Sequence, residues 1–168
     1  METARAFGAG THPTTQGCLH ILAAIAALDN TPRTILDIGT GSGILSIASA
    51  KLWPNTTIQA TEICEDSVKT AQDQVNNNQC NNRINIFHTQ TIDNTAHADL
   101  VIANILPVVL KPMAKDICQR TQHTLILSGI IEEERQGIID LYKQQGMVFI
   151  NDHIIEGWNT LLFQKPNA

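Results

Sequence analysis

The sequence lacks the patterns that mark several large classes of protein. Its four cysteines form no C-x-x-C pair and its six histidines no H-x-x-x-H pair, so a zinc site is not expected. Scattered cysteines of this kind suit a reducing cytosol, where thiols persist. No run of lysine and arginine stands out and the formal net charge is −5, which argues against tight, sequence-independent binding to nucleic acid.

Long hydrophobic runs are also missing. The longest apolar stretch covers residues 19–28, contains His20, and is too short to cross a bilayer. The N-terminus has no basic segment leading into an apolar core, so no signal peptide is indicated. From these features we expect a cytoplasmic protein.

The sequence does contain short apolar runs that alternate with segments of helical spacing. The 168 residues suit one domain with its own core. Strands are predicted at residues 35–36, 57–62, 84–88, 100–103 and 124–127, and an antiparallel pair at 147–155 and 158–163. The alternation predicts an α/β fold, a mostly parallel sheet covered by helices on both faces. The runs at Ile35, Leu100 and Leu125 are entirely apolar and should be central, and the second and third strands should lie toward an edge.

A glycine-rich turn at residues 37–43 lies between the first strand and the next helix. Glycine in regular structure costs about 1 kcal/mol relative to alanine, so Gly39, Gly41 and Gly43 need a reason. We infer close approach of a ligand to bare backbone amides at a helix N-terminus. The order G-x-G-x-G, with Asp37 two residues earlier, favours the S-adenosylmethionine (SAM) turn of class I methyltransferases. A tight turn in an unrelated α/β protein is the alternative.

Polar residues at the ends of the predicted strands are the other candidates. Glu62, 19 residues beyond Gly43, can accept hydrogen bonds from ribose hydroxyls, or it is a solvated surface acid. Asn104 can accept a hydrogen bond from an incoming amine, or it caps a helix. Asp37 either orients the turn or meets the ligand's ammonium group through water, or it serves the turn's structure alone. We expect Glu62, Asn104 and the turn to converge on one cleft, because carboxyl ends of parallel strands share one edge.

Three stretches of the sequence resemble the signatures of a known family. Residues 7–15, FGAGTHPTT, are similar to an FGTGTHPTT signature. Residues 37–45 resemble a D-x-G-C-G-S-G-I-L turn, and residues 101–106 a V-x-A-N-I-L segment. The family with these signatures is that of the ribosomal protein L11 methyltransferases, PrmA, and the resemblance covers nearly the whole chain.

The resemblance implies a SAM-dependent protein methyltransferase with a seven-stranded class I fold. Its implied acceptors are amino groups of lysines or of the N-terminus of a large-subunit ribosomal protein. By position, Thr15 would hold the amino-acid portion of SAM and Gly39 would line it. Glu62 would bind the ribose, and Asn104 would lie beside the reacting centre.

The sequence departs from the family pattern at several points. Ala9 replaces a threonine and Thr40 a cysteine, and because all are small we expect little change. Glu62 replaces the usual aspartate, and its longer arm is expected to shift the ribose slightly. Family members carry a separate N-terminal domain that recognises the ribosomal protein, whereas this chain starts at the catalytic signature. We expect residues 1–168 to form one catalytic domain, either a fragment or a natural short form, which leaves the acceptor open.

Rival functions stay open beside the methyltransferase. A nicotinamide-dependent oxidoreductase is disfavoured by Ile44, which stands where G-x-G-x-x-G needs its third glycine. A SAM-binding module that acts through a partner, and a small-molecule methyltransferase, are the other two. In the leading interpretation the cationic sulfur already activates the methyl group. Alignment of the reactants is then the protein's main task, worth roughly 7–11 kcal/mol when geometry is good. The expected partner is a protein, with no membrane and no direct nucleic-acid contact.

Overall fold

The computed structural model describes residues 10–29 and 31–166 and is built on one seven-stranded sheet. The strands are β1 (Thr34–Ile38), β2 (Thr57–Glu62), β3 (Ile84–His88), β4 (Ala98–Asn104), β5 (Thr121–Ile131), β6 (Val148–Ile155) and β7 (Trp158–Gln164). The helices are α1 (Pro13–Ala27), α2 (Ile44–Leu52), α3 (Glu65–Asn77), α4 (Pro107–Arg120) and α5 (Glu132–Gln144). Residues 7–9 of the first signature, including Ala9, lie outside the described residues.

The strand order is β3-β2-β1-β4-β5-β7-β6. All pairs from β3 to β5 are parallel, and β7 runs antiparallel to both β5 and β6. The predicted mostly parallel sheet with a C-terminal antiparallel hairpin is therefore confirmed. The strands that contain the apolar runs at Ile35, Leu100 and Leu125 are central, and β3 is at an edge, as predicted.

The fifth strand differs from its prediction in length. It runs for 11 residues rather than over 124–127, because Thr121 already pairs with Ala98 directly after α4 ends. A register shift lies between Leu127 and Ile130. This irregular stretch carries Ser128 and Gly129, which help to position the site described below.

Helices on both faces of the sheet enclose two separate apolar clusters. Successive strand residues point to opposite faces, so Leu36 belongs to one cluster and Ile35 to the other. The first cluster packs against α4 and α5, where Leu110 and Tyr142 are fully buried. The second packs against α1, α2 and α3 and includes Cys18, whose pKa burial raises to about 12.

The start of α1 is fixed locally by its sequence. Pro13 occupies the first helical position, where its missing N–H is no loss, and the His12 side chain accepts a hydrogen bond from Thr14 N. Thr15 is thereby held in the first turn of the helix. Within residues 10–29 and 31–166, none of the helices combines the length and the apolar character that a membrane span needs.

Candidate functional site

The three glycines of the turn after β1 all adopt positive φ, but not for the same reason. Their φ angles are 70° at Gly39, 57° at Gly41 and 83° at Gly43, a region that side chains disfavour. A Cβ on Gly39 would lie 2.5 Å from Cγ2 of Ile105, so this backbone approaches the segment after β4 closely. A Cβ on Gly43 would instead lie 3.4 Å from Ala71 in α3. That is an ordinary van der Waals contact, so the positive φ, and not a steric clash, accounts for the third glycine.

The Glu62 carboxylate ties the end of β2 to this turn. Its Oε2 accepts a hydrogen bond from Gly41 N at 2.9 Å. Its Oε1 accepts from Ile63 N at 2.8 Å and from Cys64 N at 3.0 Å. An ionised carboxylate offers about four lone-pair positions, so these three donors leave about one for a ligand hydroxyl. Glu62 is thus preorganised by backbone donors, which a freely solvated surface acid would not be.

A cavity of about 350 Å³ opens beside Glu62 at the carboxyl edge of the sheet. Its walls come from the ends of β1, β2 and β4, the loop after β3, and α4: Ile38, Gly39, Thr61, Glu62, Ile63, Thr89–Ile92, Ile105, Val109 and Met113. The volume is at the lower end of the usual range for small-molecule sites. Mostly aliphatic walls with one carboxylate at the rim suit a flat heterocycle joined to a hydroxylated sugar.

Several wall residues of this cavity were missed at the level of sequence. Residues 89–92 follow β3, and Val109 and Met113 belong to α4. The rule that ligands bind beyond the carboxyl ends of parallel strands could have indicated the loop after β3. Nothing in the sequence indicated Val109 or Met113, because their helical spacing is that of ordinary core residues.

Asp37 lies beneath the turn rather than in the cavity. It is 1% exposed, and its Oδ2 accepts hydrogen bonds from Thr40 Oγ1 and Ser46 Oγ, each at 2.7 Å. Burial, the largest influence, raises the pKa of the Asp37 carboxyl above its ordinary value, and the bonds from Ser46 and Thr40 oppose that rise. These contacts fit the alternative in which Asp37 serves the structure of the turn.

Asn104 is the last residue of β4 and presents an unpaired acceptor. Its Oδ1 is buried and has no hydrogen-bond partner among the described residues. It does not cap a helix, because the N-cap residue of α4 is Leu106. A buried acceptor left unpaired costs about 1–3 kcal/mol, so a ligand that donates a hydrogen bond here would recover that free energy.

Thr15 is placed near Asn104 by way of β5. Asn104 is in register with Ser128, and Ser128 Oγ donates a hydrogen bond to Thr14 O at 3.2 Å. Thr15 is 4% exposed in the same turn of α1. Neither Thr15 nor Asn104 lines the 350 Å³ cavity. Ile105, which follows Asn104, forms the cavity wall beside Gly39, so the two parts of the predicted cleft adjoin at this residue.

Comparison with known proteins gives one consistent result. The family model described as ribosomal protein L11 methyltransferase (PrmA) matches residues 1–166. The chain is 36% identical to the ribosomal protein L11 methyltransferase of Rhodopseudomonas palustris (strain BisB5) over 98% of its own length. It spans about half the length of the curated relatives that it matches, 58% of this one and 52% of another from Streptococcus pyogenes serotype M5 (strain Manfredo).

Solved structures support the same fold. A ribosomal protein L11 methylase from Lactobacillus delbrueckii subsp. bulgaricus superposes with a TM-score of 0.81 at 26% identity, covering 94% of this chain and 81% of that one. A precorrin-6y C5,15-methyltransferase from Geobacter metallireducens GS-15 reaches a TM-score of 0.73 at 14% identity, covering 88% of each chain. The second likeness concerns the fold alone, which is that of the class I methyltransferases.

Proposed function

The chain belongs to the ribosomal protein L11 methyltransferase (PrmA) family, and from that premise we propose that it transfers a methyl group from SAM to an amine of a ribosomal protein. One juxtaposition carries the proposal. A cavity suited to a nucleoside is lined by Gly39, Glu62 and Ile105, and Asn104, which precedes Ile105, carries a buried acceptor that is unpaired among the described residues. Residues 1–168 would act as the catalytic domain, and a ribosomal acceptor would place the reaction in the cytoplasm.

The residues of the cavity fit SAM by their chemistry. Glu62 keeps about one acceptor position for a ribose hydroxyl, and aliphatic residues such as Ile63 and Ile105 would cover the adenine. Gly39 lines the cavity and has no side chain that would separate its backbone from a bound ligand. Thr15 would contact the amino-acid portion. Bound SAM would supply a methyl group that is activated by a cationic sulfur.

Asn104 would position the acceptor. Its Oδ1 can accept one N–H of the incoming amine, which fixes the direction of the nitrogen lone pair. Desolvation of the amine in this buried place favours its neutral, nucleophilic form over the ammonium. Alignment of this kind can account for roughly 7–11 kcal/mol of a barrier when the geometry is good.

The cofactor half of the proposal is tested by calorimetry with S-adenosylhomocysteine and with NADH. The wild-type chain should bind the first and not the second. Gly39→Ala should weaken that binding about tenfold or more, because its Cβ would meet Ile105 at 2.5 Å and overpacking costs typically 1–3 kcal/mol. Gly146→Ala is the matched control, since Gly146 also has positive φ, 88°, but open space around it. Equal effects of the two substitutions would assign the loss to backbone strain instead.

The transfer half is tested with isotopically labelled SAM. The chain is incubated with purified ribosomal protein L11 and, separately, with a cell lysate, and labelled lysines or N-termini are identified by mass spectrometry. Label on amines of L11 is the expected result. Binding of S-adenosylhomocysteine with no label on any protein would favour the alternatives, a SAM-binding module or a small-molecule methyltransferase.

A further inference from the structure

Aliphatic side chains at the start of α4 are exposed beside the candidate site. Leu106 is 48% exposed, Val108 73% and Val109 41%. Val109 lines the 350 Å³ cavity and would be covered by a nucleoside bound there. Leu106 and Val108 do not line it, so they would stay exposed after the cofactor binds. Adjacent apolar side chains left uncovered next to a reacting centre point to a binding surface.

The backbone that carries these side chains is fixed relative to Asn104. Leu106 follows Asn104 by two residues, and the segment between them packs against the end of β5. A Cβ on Gly129 would lie only 2.6 Å from the Ile105 carbonyl oxygen, so the two backbones are in close contact. A chain that covers Leu106 would therefore bring its neighbouring residues to the position of Asn104.

The first turn of α5 is acidic, with Glu132, Glu133 and Glu134, and an ion pair joins it to α4. Lys111 of α4 forms an ion pair with Glu134 at 2.5 Å, which joins the N-terminal parts of the two helices and neutralises the lysine. The Glu132 carboxylate accepts a hydrogen bond from the neutral amide of Asn159. No ion pair links Glu133 to a cation of the described chain segments. Glu132 and Glu133 thus have no cationic side-chain partner among the described residues, and they lie on the helix turn that the Lys111–Glu134 ion pair joins to α4.

We propose that Leu106, Val108, Glu132 and Glu133 form an acceptor lip that binds a flexible, basic segment of the protein substrate. This inference rests on the proposed function and specifies its substrate class. The acceptor amine would be flanked by an aliphatic side chain, which covers Leu106 and Val108. Basic residues nearby would face Glu132 and Glu133. The aliphatic contact sets affinity, and the charges favour basic segments over acidic ones.

Equilibrium binding of fluorescent peptides to the full chain, saturated with S-adenosylhomocysteine, tests the acceptor lip. The probe is a 12-residue peptide with one lysine flanked by isoleucines and two arginines, compared with a peptide in which serines replace the isoleucines. Val108→Gln removes the aliphatic contact without adding charge to the lip. It should weaken anisotropy-detected binding of the first peptide about tenfold, and the serine peptide should bind wild type comparably weakly. Val108 lies in the first turn of α4.

Two further variants complete the test. Leu28→Gln makes a comparable chemical change at a side chain that is 79% exposed at the end of α1, and should leave peptide binding unchanged. Glu133→Gln should weaken binding about twofold to threefold and reduce its dependence on salt. Equal effects of Val108→Gln and Leu28→Gln, equal binding of the two peptides, or no binding to wild type would overturn the proposal.

The peptide readout is separate from methyl transfer. Loss of peptide binding in Val108→Gln but not in Leu28→Gln would support the lip even if wild type transferred no methyl group, a result that would count against the proposed function alone. Methylation of L11 with equal efficiency by wild type and Val108→Gln, together with equal peptide binding, would support the proposed function and overturn the lip.

Discussion

The two edges of the parallel sheet differ in how their polar groups are satisfied. At the amino edge, the Asp99 carboxylate accepts hydrogen bonds from Arg33 N at 2.7 Å and Thr34 N at 3.2 Å. Lys165 Nζ donates there to two backbone carbonyls, each at 2.9 Å. At the carboxyl edge, Asn104 Oδ1 is buried without a partner among the described residues. The polar groups at the amino edge bind the chain's own backbone, whereas the acceptor at the carboxyl edge can still bind a ligand.

Cavity volume alone would favour the amino edge over the edge that carries the candidate site. The amino edge has a cavity of about 520 Å³, larger than the 350 Å³ at the carboxyl edge. Its walls include Asp99 and Lys165, whose polar atoms already hold the backbone. The smaller cavity is lined by Gly39, which has no side chain, and by Glu62, whose carboxylate keeps about one free acceptor position. The unused hydrogen-bonding capacity, rather than the space, distinguishes the candidate site.

Among the substitutions at the two edges, we expect Asn104→Ala to have the largest effect on activity. Removal of the unpaired acceptor should lower turnover about a hundredfold, the scale of one lost hydrogen bond to a reacting group. Affinity for S-adenosylhomocysteine should change little, because Asn104 does not line the cavity. The free energy of unfolding should not fall, since Asn104 Oδ1 has no hydrogen-bond partner to lose among the described residues. Methyl transfer to a confirmed acceptor, calorimetry and urea unfolding measure the three quantities.

Asn85→Ala is the matched control for this variant, because Asn85 is exposed on the edge strand β3. It should leave turnover as in wild type. Unchanged turnover in Asn104→Ala as well would remove Asn104 from the site. A marked loss of stability would show that its side chain serves the fold, as the amino-edge residues do.

At the amino edge the opposite result is expected for Asp99→Ala. Two backbone N–H groups lose their acceptor, so the free energy of unfolding should fall by about 1–3 kcal/mol. Cofactor affinity and turnover of the folded fraction should stay unchanged, because the residue lies at the other end of the strands. Urea unfolding with parallel calorimetry measures both. Asp116→Ala, at an exposed helical position, is the control and should have little effect; lower cofactor affinity in Asp99→Ala would contradict the division between edges.

Sequence patterns predicted the sheet well because burial dictates composition. Strands covered on both faces need apolar residues on both, so the apolar runs at Ile35, Leu100 and Leu125 marked the central strands before the topology was known. The length of β5 was underestimated, because Thr121–His123 are polar at an end of the strand where apolar character is not required. Pairing of backbone groups extends beyond the residues that hydrophobic pattern can detect.

The residues of the candidate site could be predicted when they belong to a recognisable motif or are polar residues at strand ends. The other residues of the cavity wall could not. Gly39 and Glu62 both border the cavity, in line with their predicted proximity. Residues 89–92 carry no motif, and only their position after β3 makes them part of the wall. A Cβ on Gly39 would clash with Ile105, a residue 66 positions later that is brought close by the pairing of β1 with β4. Such tertiary contacts leave no local signal in the sequence.

Asp37 differs from Asn104, although both lie toward the carboxyl edge, because hydrogen bonds within the chain already satisfy its carboxylate. Both hydroxyls that donate to its Oδ2, from Thr40 and Ser46, hold the glycine turn from beneath. Burial nevertheless outweighs these bonds and raises the pKa of Asp37. The folded state therefore binds the proton of this carboxyl more tightly than the unfolded state does.

The raised pKa of Asp37 should make the free energy of unfolding depend on pH, and this is the smallest of the predicted effects. A raised folded pKa gives a stabilising contribution that is complete below the unfolded pKa, about 3.9, and is lost as pH rises through the folded pKa. The free energy of unfolding of wild type should therefore decline relative to that of Asp37→Asn as the pH rises above the unfolded pKa. Asparagine keeps an oxygen for Thr40 and Ser46 but cannot ionise. Urea unfolding of both proteins at a series of pH values measures the difference between their free energies of unfolding. If that difference stayed constant or changed in the opposite sense, the hydrogen bonds, and not burial, would dominate the pKa of Asp37.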